Sequence, residues 1–259
     1  MKKVYLDPGH GGTDSGAIGN GIQEKDIVLS VAKKVEAKLK KCNLDVRMSR
    51  TTDVYKTLEY RSSDANSWGA DCFISIHANS SDANSAQGVE TYCYKFAYRA
   101  LADKVHAEIT NSKTYTKNRG VKEGNFHVIR ETNMSACLVE LAFISNAEDA
   151  SLLKNKQEEF ATSIAKGICK QLGVSYVDGN STSPNEGFKN GDYSGKKAKV
   201  IADVLNVRYD RGTEHDIIGQ VKYGDIVNLQ YCLNDWVSIE GFKGNKGLGY
   251  VNSKYLQLL

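Results

Sequence analysis

The stretch VYLDPGHGGTDSGAIGNG, residues 4–21, sets the fold class of this chain. It runs from three apolar residues, Val4, Tyr5 and Leu6, into a glycine-rich turn with His10 at its tightest point. Beyond the turn Ile27, Val28, Val31, Ala32, Val35 and Leu39 recur at the helical period, so the segment reads strand, turn, amphipathic helix.

The same alternation continues to about residue 173. Leu44, Val46 and Met48 alternate as in a strand, and Leu58, Ala65 and Trp68 mark a second helix. CFISIHA (72–78) and Gly88 to Tyr94 read as strands, and Leu101, Val105 and Ile109 mark a helix. HVIR (127–130) and ACLVELAF (136–143) are strand-like, and helices follow between Ala147 and Leu172, where Ser145 and Glu148 have capping-box spacing. This pattern predicts an α/β fold, a mainly parallel sheet with helices on both faces.

Composition then shifts. Residues 175–195, SYVDGNSTSPNEGFKNGDYSG, offer almost nothing to bury and read as a linker between a domain at 1–174 and a second at 196–259. In the second, short alternating runs separated by Gly and Asp turns predict a small all-β barrel.

The 259 residues are 41% apolar and 25% charged, the balance of an ordinary globular protein. A formal charge of +3 without a dense basic run speaks against nucleic-acid binding. No apolar run approaches the ~18 residues of a membrane span. The start, MKKVYLDPGHGG, enters a strand at once and has no apolar signal core, so the expected site of synthesis is the cytoplasm. The six cysteines form no CxxC pair; Cys72 and Cys137, inside apolar runs, are expected to be packing residues.

The glycines of the first turn could suggest a phosphate cradle. Gly9, Gly11, Gly12 and Gly16 do not make G-x-G-x-x-G, however, and no G-K-[ST] follows. His10 and His77 both stand just past predicted strand ends, which in a parallel sheet open into one crevice. Glu24 begins the first long helix. Glu140 interrupts the apolar run CLVELAF, where a carboxylate without a partner is costly. Two imidazoles and a carboxylate would suit a hydrolytic zinc with an open position for water. On spacing alone a hydrogen-bonded loop histidine and a helix-terminal acid describe His10 and Glu24 equally well. His106 falls off the apolar stripe of its helix and is expected in solvent, with His127 and His215 at surface or edge positions.

The stretches DPGHGGTDSGAIGNGIQEKDIVL, ADCFISIHANSSDANSAQGVETY, NRGVKEGNFHVIRET and LVELAFISNAEDASLL, in this order across residues 2–173, resemble the zinc-dependent N-acetylmuramoyl-L-alanine amidases of the amidase_3 family. The resemblance implies one catalytic zinc ion held by His10, Glu24 and His77, with Glu140 as the catalytic carboxylate. It implies cleavage of the amide between the lactyl group of N-acetylmuramic acid and L-alanine of the peptidoglycan stem peptide. Arg61, Asn66 and Asn79 match motif positions near the site. The alternatives are a wall-binding protein with an inactive amidase-like domain and a zinc peptidase cutting within the stem.

The run LNVRYDRGTEHDIIGQVKYGDIVNLQ, with DWVSIEG and GYVNSKYL, looks like a bacterial SH3 domain, a barrel that often binds cell wall. It departs from that pattern where Tyr209, Asp210 and Arg211 replace the usual small-residue and proline turn. Trp236, Tyr250 and Tyr255 are candidates to stack on sugar or peptide, although barrel core is expected to claim at least one of them. The combination resembles a bacteriophage endolysin that reaches the wall after release, by holin or by lysis; a bacterial autolysin is the alternative.

Overall fold

The first strand, β1 (Lys3–Pro8), is buried on both faces because its residues alternate between two helical layers. Val4 and Leu6 point into the larger core, Tyr5 into the smaller. This computed structural model describes residues 1–112, 117–177, 188–202 and 204–259, which divide into two compact units, Met1–Gly179 and Asn180–Leu259. Residues 178–187, inside the stretch read as linker, lie outside the described residues.

A two-residue hairpin, β2 (Ile18–Gly19) and β3 (Ile22–Gln23), leads into α1 (Glu24–Lys41). After it come β4 (Asp45–Met48), α2 (Leu58–Trp68), β5 (Cys72–Asn79), β6 (Val89–Cys93) and α3 (Ala100–Asn111). The unit is completed by β7 (Asn118–Glu123), α4 (His127–Arg130), β8 (Ser135–Phe143), α5 (Ala147–Asn155) and α6 (Gln157–Leu172). The sheet order is β4-β1-β5-β8-β6-β7. All pairings are parallel except β6 with β8, so the sheet is mixed at one junction.

The apolar stripes of α1, α3 and α6 cover one face and pack on Val4, Leu6, Ile74, Ile76, Val139 and Leu141. The other face carries α2 and α4 over Tyr5, Phe73 and Leu138, with Tyr5 and Phe73 stacked at a centroid distance of 5.6 Å. Helices on both faces are what the alternating sequence predicts.

Three local expectations are corrected. HVIR forms the single helical turn α4, with adjacent Val128 and Ile129 both buried, where a strand would turn them to opposite faces. The cap of α5 is Asn146, whose side chain accepts from the backbone N–H of Glu148 and Asp149. Ser145 Oγ instead accepts from Ser81 N. His106 is 6% exposed, bonded at Nδ1 to Thr91 Oγ1 (3.1 Å) and at Nε2 to Asn118 Oδ1 (2.7 Å). These bonds to β6 and β7 bring His106, with Ala102, into a buried face wider than the Leu101, Val105, Ile109 stripe.

The second unit is all antiparallel. Its strands are β9 (Gly191–Asp192), β10 (Lys197–Val200), β11 (Val204–Arg208), β12 (Ile217–Lys222), β13 (Ile226–Leu233), β14 (Trp236–Ile239), β15 (Gly249–Asn252) and β16 (Leu256–Leu258). They run in the order β12-β11-β15-β14-β13-β10-β16, with β9 on β13. Their inward residues, among them Val207, Leu229, Val237 and Val251, form a separate core that also takes in Phe188. Tyr250 is buried, with its ring under the Arg211 guanidinium and its hydroxyl donating to Asn245 O. Tyr255 is 37% exposed. The unusual turn after LNVR is tied down by Asp210, which accepts from Arg211 N and Asn245 Nδ2. All six cysteines are buried.

Candidate metal centre

The end of β1 and the start of α1 meet because the turn between them closes on the helix N-terminus. The backbone N–H of Glu24 donates to Ala17 O and that of Lys25 to Ser15 O, so two of the otherwise orphaned N–H groups are used. Glu24, 4% exposed, then turns its side chain back under the turn: Oε2 accepts from Ala17 N and Oε1 from Ala78 N, both at 2.9 Å. His10 Nε2 lies 3.2 Å from Glu24 Oε2, and His77 Nδ1 lies 2.9 Å from Glu24 Oε1. One ligand atom from each of these three residues falls within 4.8 Å of the others.

Two glycines make this approach possible. A Cβ on Gly9 would sit 2.2 Å from His77 Cε1. One on Gly16, where φ is +63°, would sit 2.6 Å from Glu24 Oε2 and 2.7 Å from His10 Cδ2. His10 itself has φ 58°, in the left-handed region uncommon for a side-chain-bearing residue.

Two guanidiniums hold that turn from behind. Arg61 donates from Nη2 to His10 O (2.8 Å) and from Nη1 to Pro8 O (2.8 Å) and Asp7 Oδ1 (2.7 Å). Arg50 donates from Nη2 to Gly9 O (2.7 Å) and from Nε to Pro8 O (3.1 Å). Asp7, 1% exposed, also accepts from Ser49 and Ser75, so both oxygens of this buried acid are paired. Asp14 Oδ2 accepts from His10 Nδ1 at 2.9 Å, which fixes the ring so that Nε2 faces Glu24.

The electrostatics follow from this crowding. Burial alone would raise the Glu24 carboxyl, but the two imidazoles hold it well below the usual carboxylate range. Burial opposes protonation of His10, yet Glu24 and Asp14 together push it up to about 9. His77 is raised in the same sense, against its burial, by Glu24 and Glu140. Glu140 is opposite His77 in the β5–β8 register, and its Oε2 is buried without a hydrogen-bond partner among the described residues. That burial pushes its carboxyl up to about 7. Two imidazoles and a carboxylate are donors that a zinc ion takes, and they are held ready by a shell of backbone N–H groups and Asp14. The residues present therefore fit a single divalent cation.

Residues 4–170 match the family described as N-acetylmuramoyl-L-alanine amidase, and residues 203–257 match the bacterial SH3 domain. The chain belongs to the N-acetylmuramoyl-L-alanine amidase family. The N-acetylmuramoyl-L-alanine amidase LytC of Bacillus subtilis is 46% identical over 155 residues, 58% of this chain and 31% of LytC, so the chain spans under a third of that relative. The endolysin of Bacillus phage SPP1 is 37% identical over 212 residues, 77% of this chain and 76% of the endolysin. The solved catalytic domain of CwlV, the N-acetylmuramoyl-L-alanine amidase from Bacillus (Paenibacillus) polymyxa, is 40% identical. It covers 68% of this chain and 100% of that domain, with a TM-score of 0.65.

The amidase unit also uses residues that the sequence reading passed over. Asp7, Asp14 and Arg50 lie within or beside the strand ends but interrupt no apolar run. Glu90 does interrupt one, in VETYC, with the same signal that marks Glu140. Of the motif residues Arg61, Asn66 and Asn79, Arg61 grips the His10 turn and Asn79 donates to Glu90 Oε1 (2.6 Å). Asn66 joins α2 to the loop after α4 through Glu131 O and Asn133 N. His127 lies 3.3 Å from Ser62 Oγ beneath α4, away from the cluster.

Proposed function

We propose that this amidase-family chain hydrolyses the amide between N-acetylmuramic acid and L-alanine in peptidoglycan, using zinc held by His10, Glu24 and His77. The observation that supports it best is the partnerless, buried Oε2 of Glu140 at the register position beside His77. A zinc ion bound there supplies Lewis acidity, which acidifies water and polarises a carbonyl oxygen. Glu140, whose affinity for a proton is raised by burial, accepts a proton from water and delivers it to the departing alanine nitrogen. Glu24 stays ionised, and Asp14 orients His10 through Nδ1. Arg61 and Arg50 keep the backbone of the ligand turn in place.

The second unit is proposed as the wall-binding module. The likeness to the phage SPP1 endolysin extends over 212 residues and favours a lytic role for the two units together. Among the described residues no helix is long and apolar enough to cross a membrane.

The deciding experiment is mass spectrometry of purified peptidoglycan digested with the full chain, with and without a chelator. New L-alanine amino termini and intact lactyl carboxyls, lost on chelation and restored by zinc, are expected. Cuts confined to bonds within the stem peptide would overturn the assignment of the bond.

A further inference from the structure

Beyond Glu140 the same face of the sheet carries a second charged row that the hydrolytic step does not use. In the antiparallel β6–β8 register Glu90 is directly opposite Glu140, just as His77 is on the other side, so His77, Glu140 and Glu90 share one face on three neighbouring strands. Glu90 is 3% exposed. Its Oε1 accepts from Asn79 Nδ2 (2.6 Å) and Tyr92 OH (2.8 Å). Its Oε2 accepts from two cations of the edge strand β7, Arg119 Nε at 2.7 Å and Lys122 Nζ at 2.5 Å.

One cation neutralises one buried carboxylate. Here there are two, so Glu90 together with Arg119 and Lys122 carries a net positive charge. Both side chains remain over a third exposed, at 39% for Arg119 and 37% for Lys122. Arg119 gives only Nε to Glu90, and among the described residues no hydrogen bond uses its two Nη groups, which leaves a planar fork of the kind that pairs with carboxylates. Beside them stands an apolar wall. Phe126, 40% exposed, meets Tyr92 edge-on at a centroid distance of 5.0 Å, and Lys122 Nζ lies 6.0 Å from the centre of the Tyr92 ring. Gly124 permits the contact, since a Cβ there would come within 2.5 Å of the Phe126 ring.

We propose that Arg119 and Lys122 form a carboxylate-binding subsite for the stem peptide, so that the chain selects stems whose second residue carries a free carboxylate over those in which it is a carboxamide. The inference rests on the amidase reading above. The lactyl carboxyl is consumed in the scissile amide, so the nearest anion of the substrate lies on the peptide side, about 6 Å beyond the scissile nitrogen in an extended chain. Arg119 and Lys122 reach back from β7 to the Glu90 carboxylate on β6, one strand spacing of about 4.8 Å from β8, which falls within that reach once Glu140 is placed at the nitrogen. Phe126 and Tyr92 would then flank the alanine methyl and the following backbone.

The test uses the full, zinc-loaded chain and two soluble disaccharide-pentapeptide fragments that differ only in a carboxylate or carboxamide on the second residue, with kcat/KM measured by chromatography. Because the subsite is partly solvated, the preference for the carboxylate is expected to be about twofold to fivefold. In Arg119→Gln and in Lys122→Gln, each of which leaves one cation on Glu90, the ratio is expected to fall toward one with zinc content retained. Lys122→Arg should keep the preference. Equal rates on the two fragments, or a ratio untouched in both glutamine variants, would overturn the subsite while leaving the amidase reading intact. Failure of the zinc-loaded chain to cut either fragment at the lactyl amide would overturn that reading, and the subsite with it.

Discussion

Glu140 and His77 are direct register partners across β5 and β8, yet Glu140 Oε2 is buried with no hydrogen-bond partner among the described residues. A carboxylate kept in that condition is costly to the fold, and the cost has a predictable pH dependence.

Glu140 is raised from the ordinary 4.5 to about 7 by burial, so the folded chain binds this proton more tightly than the unfolded chain. Its unfavourable contribution is absent below the unfolded value, grows as pH rises through 4.5 to 7, and is complete above that. Glu140→Gln should therefore melt a few degrees higher than the parent at pH 8 in metal-free buffer, with the gap closing near pH 4. The same variant should lose about 10²–10⁴ in wall-lytic rate. Identical melting curves at pH 8 would show that the carboxylate is not held at a cost.

Metal binding should release protons. His10, pushed up to about 9, is protonated in the metal-free chain at neutral pH, and His77 is raised in the same sense, whereas a metal takes the neutral imidazole. Zinc affinity is therefore expected to rise with pH from 6 to 9. Calorimetry in buffers of different ionisation enthalpy should count about one proton or more released per ion at pH 7. A count near zero would contradict the histidine assignment. The same logic sets the stability of the metal-free chain: the His10–Glu24 pair contributes fully below pH 6.5 and is lost as pH rises through about 9.

Much of this centre is legible in the sequence because its residues break a pattern. Glu140 is a carboxylate inside an apolar strand, His10 follows β1, and His77, expected just past a strand end, lies inside β5 two residues before its end, so the apolar runs place both imidazoles on one rim. The strand β7 is not legible: NRGVKE has a single large apolar residue, and as an edge strand with none of its residues fully buried it carries no apolar row to alternate. That loss hides Arg119 and Lys122 as partners of Glu90. HVIR is misread for a related reason, since four residues are too short for period to separate a helical turn from a strand. The Arg61 and Arg50 clamp is hidden because guanidinium bonds to backbone carbonyls leave no spacing rule in the chain.

That clamp can be tested without emptying the core. Arg61 is 3% exposed and paired with Asp7, so truncating it would strand a buried carboxylate at a cost of about 3–5 kcal/mol. Arg61→Lys keeps the charge beside Asp7 but lacks the fork that reaches Pro8 O and His10 O together. It should fold and bind zinc about tenfold to a hundredfold more weakly in competition with a chromophoric chelator. Unchanged affinity would mean that the turn holds its shape without Arg61.

The tightest constraint is the one between Gly9 and the His77 ring. Gly9 N donates to Ile76 O, which seats the turn against β5, and the space where a Cβ would project is already filled by His77 Cε1, Nε2 and Nδ1. Gly9 does not adopt a positive φ, so Gly9→Ala adds no backbone strain and acts only by displacing the imidazole. Because His77 sits at the rim, with its side chain 18% exposed, the ring can move outward without breaking the core. Gly9→Ala should therefore keep its circular dichroism spectrum and lose most of its zinc on dialysis, the same metal phenotype as His77→Ala. Full zinc occupancy in the alanine variant would place the metal donors elsewhere than at His10, Glu24 and His77.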